Sequence, residues 1–267
     1  MKLTDFIKKK TPKSDSSAKV LPYGENIITC THLNKQFMGI KAIDDLSLQI
    51  PQAKTTGLIG PNGSGKTTLM NILTGLIKPD SGKITVRDKH RTRIKSNELR
   101  MYRIARTFQD GRLIEQLSVE DNLLLPVAKN TLWGGFTEIK TDDYQSRLEK
   151  VLDITSLKDH RHKRAEELSY GLRKLLEIGR LLMQDADIYF FDEPFTGLFP
   201  EMVEQVCDII SGLQKQGKTI VIIEHNMGLI KRLSDYIIVL DHGTLLAEGE
   251  PDAVLKNKKV REAYLGV

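Results

Sequence analysis

Two spacings of apolar residues alternate along the chain. Short runs rich in β-branched and aromatic residues are separated by stretches with apolar residues three and four apart. Thr55–Ile59, Asp187–Phe191 and Lys218–Ile223 are short runs dominated by apolar residues without alternation, which predicts strands buried on both faces. The region 26–50 holds two strand-like runs, the second alternating through Ile43, Leu46, Leu48 and Ile50 before Pro51. Further strands are predicted at Lys83–Arg87 and Tyr236–Leu240, the latter followed by the hairpin turn Asp241-His242-Gly243. Helices are predicted over Lys66–Ile77, Leu113–Val127, Asp142–Ile154, Ser169–Gln184, Pro200–Lys215, Met227–Leu233 and from Pro251 onward. The alternation of the two element types predicts an α/β class with a mainly parallel sheet. The stretch from about Arg103 to Gly171 shows no strand pattern and is expected to form a helical insertion.

Composition narrows this little. The chain has 267 residues, 40% of them hydrophobic, enough for a sizeable core. Its net charge of +5 is mild and gathers in two places, a Lys-rich tail over 1–24 and the stretch Arg87–Arg106. The tail is expected to be poorly ordered. Both basic stretches read as solvated surface, with anionic lipid headgroups or an acidic partner as the alternative. Cys30 and Cys207 suggest no disulfide framework, which fits a reducing compartment. No apolar run is long enough for a transmembrane helix, and no secretory signal is evident at the start.

The chemistry centres on Gly60-Pro61-Asn62-Gly63-Ser64-Gly65-Lys66-Thr67-Thr68, which fits G-x-x-x-x-G-K-[ST] between a predicted strand and a predicted helix. Glycines at these positions let backbone N–H groups turn toward phosphate oxygens. Lys66 can reach the β- and γ-phosphates, and the Thr67 hydroxyl can ligate Mg²⁺. Nucleotide binding follows from this loop in its strand and helix context, but the motif does not say what the nucleotide energy is used for. Asp192 and Glu193 close an apolar strand at the sheet edge where ligands of α/β proteins bind. Asp192 can complete a Mg²⁺ shell, and Glu193 can orient or deprotonate a water. Ser169 is a plausible N-cap, and Gly171 leaves the helix amides accessible to an anion. His225 ends another strand on the edge of Asp192. On spacing alone Phe37 reads as an ordinary aromatic, Gln109 as a surface amide and His225 as a surface residue.

Phe37, the 60–67 loop, Gln109, Leu168-Ser169-Tyr170-Gly171, Phe191-Asp192-Glu193 and His225 occur in the order of the ATP-binding subunits of ATP-binding cassette (ABC) transporters, which the chain closely resembles from about Asn26 onward. The resemblance implies a P-loop NTPase fold with an antiparallel N-terminal β-subdomain and an inserted helical subdomain, in one ATPase domain over 25–267. It implies that Phe37 stacks on adenine, that Gln109 senses Mg²⁺ and the γ-phosphate, and that Ser169 and Gly171 bind ATP held by another subunit. By the same resemblance Asp192 is the metal-shell acid, Glu193 the catalytic base and His225 the switch histidine. The implied cofactors are ATP and Mg²⁺. The implied partners are a second ATPase subunit, identical or paralogous, transmembrane permease subunits and an extracytoplasmic solute-binding protein, with no nucleic acid. The place implied is the cytoplasmic face of the membrane.

The runs Ile104-Ala105-Arg106-Thr107-Phe108-Gln109, Ile223-Glu224-His225-Asn226-Met227 and Arg261-Glu262-Ala263-Tyr264-Leu265-Gly266 resemble the branched-chain amino acid importers. Urea and lipopolysaccharide-export cassettes are similar relatives, and a soluble cassette acting on ribosomes or DNA is the rival reading. Two positions depart from the family pattern. Leu172 stands where the signature has Gln, and Phe199 stands where the loop after the catalytic glutamate has Asp or Asn. Phe cannot make the hydrogen bonds of those residues. Both departures lie in loops that the resemblance places across the dimer, so a non-identical partner is expected, with a harmless substitution in a symmetric homodimer and a cassette that only binds ATP as the alternatives.

Overall fold

The computed structural model describes residues 26–107, 113–127 and 142–265. The chain divides into two compact units. Among the described residues, one unit comprises 26–106, 187–193 and 213–265, and the other 107–186 and 194–212.

The first unit carries two sheets. Strands β1 (Asn26–Phe37), β2 (Ile40–Pro51), β4 (Ser81–Val86) and β5 (Lys89–Arg91) form an antiparallel sheet in the order β2-β1-β4-β5. Strands β3 (Thr55–Ile59), β6 (Ile104–Arg106), β7 (Ile188–Asp192), β8 (Thr219–Ile223), β9 (Tyr236–Asp241) and β10 (Thr244–Gly249) form the second sheet, ordered β10-β9-β3-β8-β7-β6. All pairings in it are parallel except the β9–β10 hairpin at its edge. The expected fold class is therefore present. Strands β3, β7 and β8 are buried at every residue, as apolar-dominated runs without alternation predict.

The two-residue period of a strand sorts these side chains between two cores. Leu58 and Ile238 face one core together with Phe190 and Val221, where helix α1 (Lys66–Leu73) and Ile28, Leu33, Ile43 and Leu46 of the antiparallel sheet join them. Ile59, Ile237 and Val239 face the other, covered by helices α6 (Met227–Leu233), α7 (Pro251–Lys256) and α8 (Lys258–Leu265) through Ile230, Val254 and Val260. The start of β7 is pinned by Asp187. Its carboxylate accepts from Arg87 Nη2 at 2.7 Å, Arg103 Nε at 2.7 Å and Lys218 Nζ at 3.1 Å.

The second unit is helical: α2 (Val119–Leu124), α3 (Asp142–Ile154), α4 (Tyr170–Met183) and most of α5 (Pro200–Lys215). Among the described residues no helix is long and apolar enough to cross a membrane.

Four expectations need correction. Helix α1 stops at Leu73 rather than Ile77, because the amides of Leu76 and Ile77 turn back to the Asn71 carbonyl and close the helix end. The helix expected over 113–127 is confined to 119–124, followed by a 3₁₀ turn over Leu125–Val127. Upstream of it, the fully buried Asn122 side chain accepts from the Ile114 amide at 3.0 Å and donates to the Ile114 carbonyl at 2.9 Å. That holds the preceding backbone in a non-helical turn. Strand β6 lies in the stretch expected to contain none, since its three buried residues are too few for a period to show. Finally, Arg106 is not solvated surface but 7% exposed. The basic tail lies outside the described residues.

Candidate functional site

The loop between β3 and α1 takes its shape from its glycines. Gly60 has φ +155° and Gly65 φ +100°. A Cβ at Gly60 would lie 2.2 Å from the Leu240 carbonyl oxygen, and one at Gly65 would lie 2.5 Å from that of Ala42. No side chain fits either place, and at Gly65 the left-handed backbone also favours glycine. Around Gly63 a Cβ would meet nothing within 4 Å, so the outer side of the loop is open. Asn62 and Gly63 are exposed, Pro61 is half-buried and Ser64 is buried. The loop closes on itself through Ser64 N–H to the Pro61 carbonyl at 3.2 Å, and the Gly243 amide holds the Ser64 carbonyl at 3.1 Å.

Lys66 is 6% exposed and folds over this loop. Its Nζ donates to the Gly60 carbonyl at 2.8 Å, the Pro61 carbonyl at 2.9 Å and Ser64 Oγ at 3.4 Å. Burial pushes its ammonium pKa down, against the opposing pull of the Glu193 and Asp192 charges. Thr67 is exposed and Thr68 half-buried at the start of α1, where the helix dipole favours an anion.

Sheet order brings the acids to this edge. Strand β8 lies between β3 and β7, with Ile223 paired to Leu58 on one side and to Asp192 on the other. The parallel strands therefore end level, and the residues that follow them share one edge. Asp192 is 1% exposed and accepts from Arg106 Nη2 at 3.1 Å. Glu193 has φ +47°, a left-handed backbone for a residue with a side chain, and its amide donates to the Ile223 carbonyl at 3.0 Å. His225 Nε2 lies 3.1 Å from Glu193 Oε1. The two residues are 32 apart in sequence, so their pairing is a product of the sheet.

Sequence reasoning missed two residues here. Glu224 is 6% exposed, and its Oε1 accepts from the amides of His225 at 2.9 Å and Asn226 at 3.2 Å. It fixes the backbone that presents His225. Asn226 then caps α6, accepting from the Gly228 and Leu229 amides. The second is Arg106, whose contacts bind Asp192 to Asn71 and Thr74 of the α1 region.

Phe37 ends β1, 43% exposed, with Lys35 Nζ 5.1 Å from its ring centroid. In the helical unit, Ser169 caps α4, its Oγ accepting from the Leu172 amide at 3.4 Å. A Cβ on Gly171 would lie 2.5 Å from Met202 Sδ, so a larger residue there would require the Met202 side chain to shift. Tyr170 is 58% and Phe199 70% exposed in the same unit. Gln109 lies outside the described residues.

The profile of the ABC transporter family matches residues 43–196. The chain is also 34% identical, over 90% of its length and 98% of the relative's, to the high-affinity branched-chain amino acid transport ATP-binding protein LivG of Salmonella typhimurium. This chain belongs to the ABC transporter family. A second profile, that of the branched-chain amino acid ATP-binding cassette transporter, covers 244–267 of the cassette. Among solved structures, a nucleotide-free ATP-binding cassette from an ABC transporter superposes with a TM-score of 0.79 at 31% identity, covering 91% of this chain and 100% of that one. A dimeric cassette in a post-hydrolysis state with ADP and Pi gives a TM-score of 0.72 at 25% identity, covering 84% of this cassette and 98% of the other. The cassette is thus a nucleotide-binding protein homologous to the ATP-binding subunits of branched-chain amino acid importers.

Proposed function

We propose that this cassette hydrolyses ATP to ADP and phosphate and so drives import of branched-chain or related amino acids through separate permease subunits. The observation that carries the reading is the Glu193–His225 contact of 3.1 Å beside the phosphate loop. It joins a general base to a residue that can orient it and touch the γ-phosphate.

The loop geometry fits a triphosphate. The open side at Gly63 leaves room for phosphate oxygens, and Lys66 gives up the Gly60 and Pro61 carbonyls for them. An oxygen donor set of the Thr67 hydroxyl and the Asp192 carboxylate suits Mg²⁺, which takes one or two protein oxygens and completes its shell with phosphates and waters. When bound, Mg²⁺ neutralises charge on the β- and γ-phosphate oxygens.

Glu193 orients a water for in-line attack on the γ-phosphorus and takes its proton, while the bond to the leaving ADP oxygen breaks. His225 holds Glu193 and the γ-phosphate, and Lys66 stabilises charge on the transferring group. Phe37 stacks on the adenine, and Gln109 senses the γ-phosphate and metal. Ser169 and Gly171 present the N-terminus of α4 to ATP held by a second cassette, identical or paralogous. The subunit docks on permeases at the cytoplasmic face of the membrane and serves an extracytoplasmic binding protein. The choice of solute rests on the likeness to LivG and on the match over 244–267.

The test is phosphate release by the purified chain and its Glu193→Gln variant, with labelled leucine uptake in cells lacking the gene. Turnover that Glu193→Gln abolishes, and uptake that only the unaltered gene restores, support the reading. Glu193→Gln turnover within a few-fold of the unaltered chain refutes the role of Glu193. Leucine uptake that is independent of the gene refutes the solute.

A further inference from the structure

Building on the reading of Asp192 as the metal-shell acid, we propose that Arg106 is a positioning residue that holds the Asp192 carboxylate and ties it to the phosphate-loop helix. Arg106 is the last residue of β6, in register with Phe190 of β7, two positions before Asp192. Its guanidinium forks. Nη2 donates to Asp192 Oδ2 at 3.1 Å, and Nη1 donates to Asn71 Oδ1 at 2.5 Å and Thr74 Oγ1 at 2.8 Å.

The Thr74 hydroxyl donates its own proton to the Met70 carbonyl at 2.7 Å, so it faces Arg106 as an acceptor. The Arg106 and Asp192 side chains are 4% and 1% exposed. Water does not screen this pair, and burying it carries a desolvation penalty that only good geometry offsets. Nη1, anchored on Asn71 and Thr74, fixes the planar guanidinium from which Nη2 holds one oxygen of the Asp192 carboxylate. Asn71 is in α1 and Thr74 caps its end. The same helix begins at Lys66 and Thr67, so one guanidinium connects the phosphate-binding helix to the acid two strands away.

A guanidinium near a cation site also repels the cation, so the sign of its effect discriminates. If orientation dominates, removing the fork weakens metal binding; if repulsion dominates, removal strengthens it. Orientation is expected to dominate. Lysine keeps the charge but cannot supply both arms of the fork.

The experiment measures binding of a fluorescent ATP analogue to the full-length chain in EDTA and across a Mg²⁺ titration, with the Mn²⁺ electron paramagnetic resonance spectrum of the ATP complex as a second readout. The variants are Arg106→Gln, Arg106→Lys, Asn71→Ala with Thr74→Val, and Asp192→Asn. For Arg106→Gln the half-saturating Mg²⁺ concentration is expected to rise about 10–100-fold, as on loss of other residues that orient a metal ligand. Arg106→Lys should fall between, and nucleotide affinity in EDTA should be unchanged. A purely structural role would lower the melting temperature without moving the Mg²⁺ requirement, and that result, or a lower requirement, overturns the proposal.

Should the Arg106 variants fail to fold, Asn71→Ala with Thr74→Val decides. It leaves the contact with Asp192 and removes the tie to the helix, so an unchanged Mg²⁺ requirement refutes the coupling and a raised one supports it. Asp192→Asn separates the two levels. If it too leaves the Mg²⁺ requirement unmoved, the metal reading of Asp192 falls. If it raises the requirement while the Arg106 variants do not, only the role of Arg106 falls.

Discussion

Replacing Asp187 by asparagine should loosen the strand that carries the acids. Burial pushes the Asp187 carboxyl up, but hydrogen bonds and charge from Arg103, Lys218 and Arg87 outweigh it and bring its pKa from 3.8 to about 2. That depression corresponds to about 2 kcal/mol of folding stability. The side chain is 29% exposed, so the pair is only partly screened. Because the folded-state pKa is the lower one, the contribution is complete above the unfolded pKa and is lost as pH falls toward the folded value. Asp187→Asn should therefore be about 2 kcal/mol less stable than the unaltered chain near neutral pH, with the gap closing between about pH 4 and about pH 2. Urea denaturation of both proteins across that range measures it. Equal stability at neutral pH, or a gap that does not change on acidification, would refute the argument. Asp187 adjoins the start of β7 and Asp192 is its last residue, so the same variant should raise the amide exchange rate at Asp192.

Three further outcomes are expected. Lys66→Ala should abolish tight ATP binding, a loss of roughly 2–5 kcal/mol in a calorimetric titration; unaltered affinity would sink the assignment of the loop. Glu193→Gln should bind ATP yet accumulate as a dimer on size-exclusion chromatography with ATP, and a chain that stays monomeric would count against cross-subunit closure. Phe199, 70% exposed, would bury apolar surface worth roughly 1.5–3 kcal/mol if covered at that seam. Phe199→Asn should weaken dimerisation, and the purified transporter should contain two kinds of ATPase subunit; a single kind with two equally active sites would refute the unequal pairing.

The phosphate loop was legible because its whole chemistry lies in consecutive residues between a strand and a helix. Asp192 and Glu193 were legible because an apolar run ending in acids shows where a parallel strand emerges. Arg106 was not. It sits among many basic residues, and nothing local distinguishes a guanidinium that crosses to Asp192, 86 positions away, from one in water. Glu224 failed for a similar reason: a glutamate after a strand looks like an exposed end, and only the fold turns its carboxylate onto the next two amides. The end of α1 was overrun because Leu76 and Ile77 continue the helical period although their amides already close the helix. On spacing alone Phe37 and His225 carried no functional signal, and Ser169 only that of a capped helix end open to an anion; the family resemblance supplied the rest.

Glu193 holds a backbone angle, φ +47°, that glycine or asparagine adopts with less strain. An L-residue there gives up about 1 kcal/mol that glycine would not. If Glu193 is the base proposed above, folding and turnover favour different amino acids at one position. In a lineage released from hydrolysis, drift at 193 would run toward the relaxed residue, and the acid would be among the first features to erode. Under the proposed mechanism, a glutamate at that angle is a carboxylate kept in place at a conformational cost, one that binding ATP without hydrolysing it would not require.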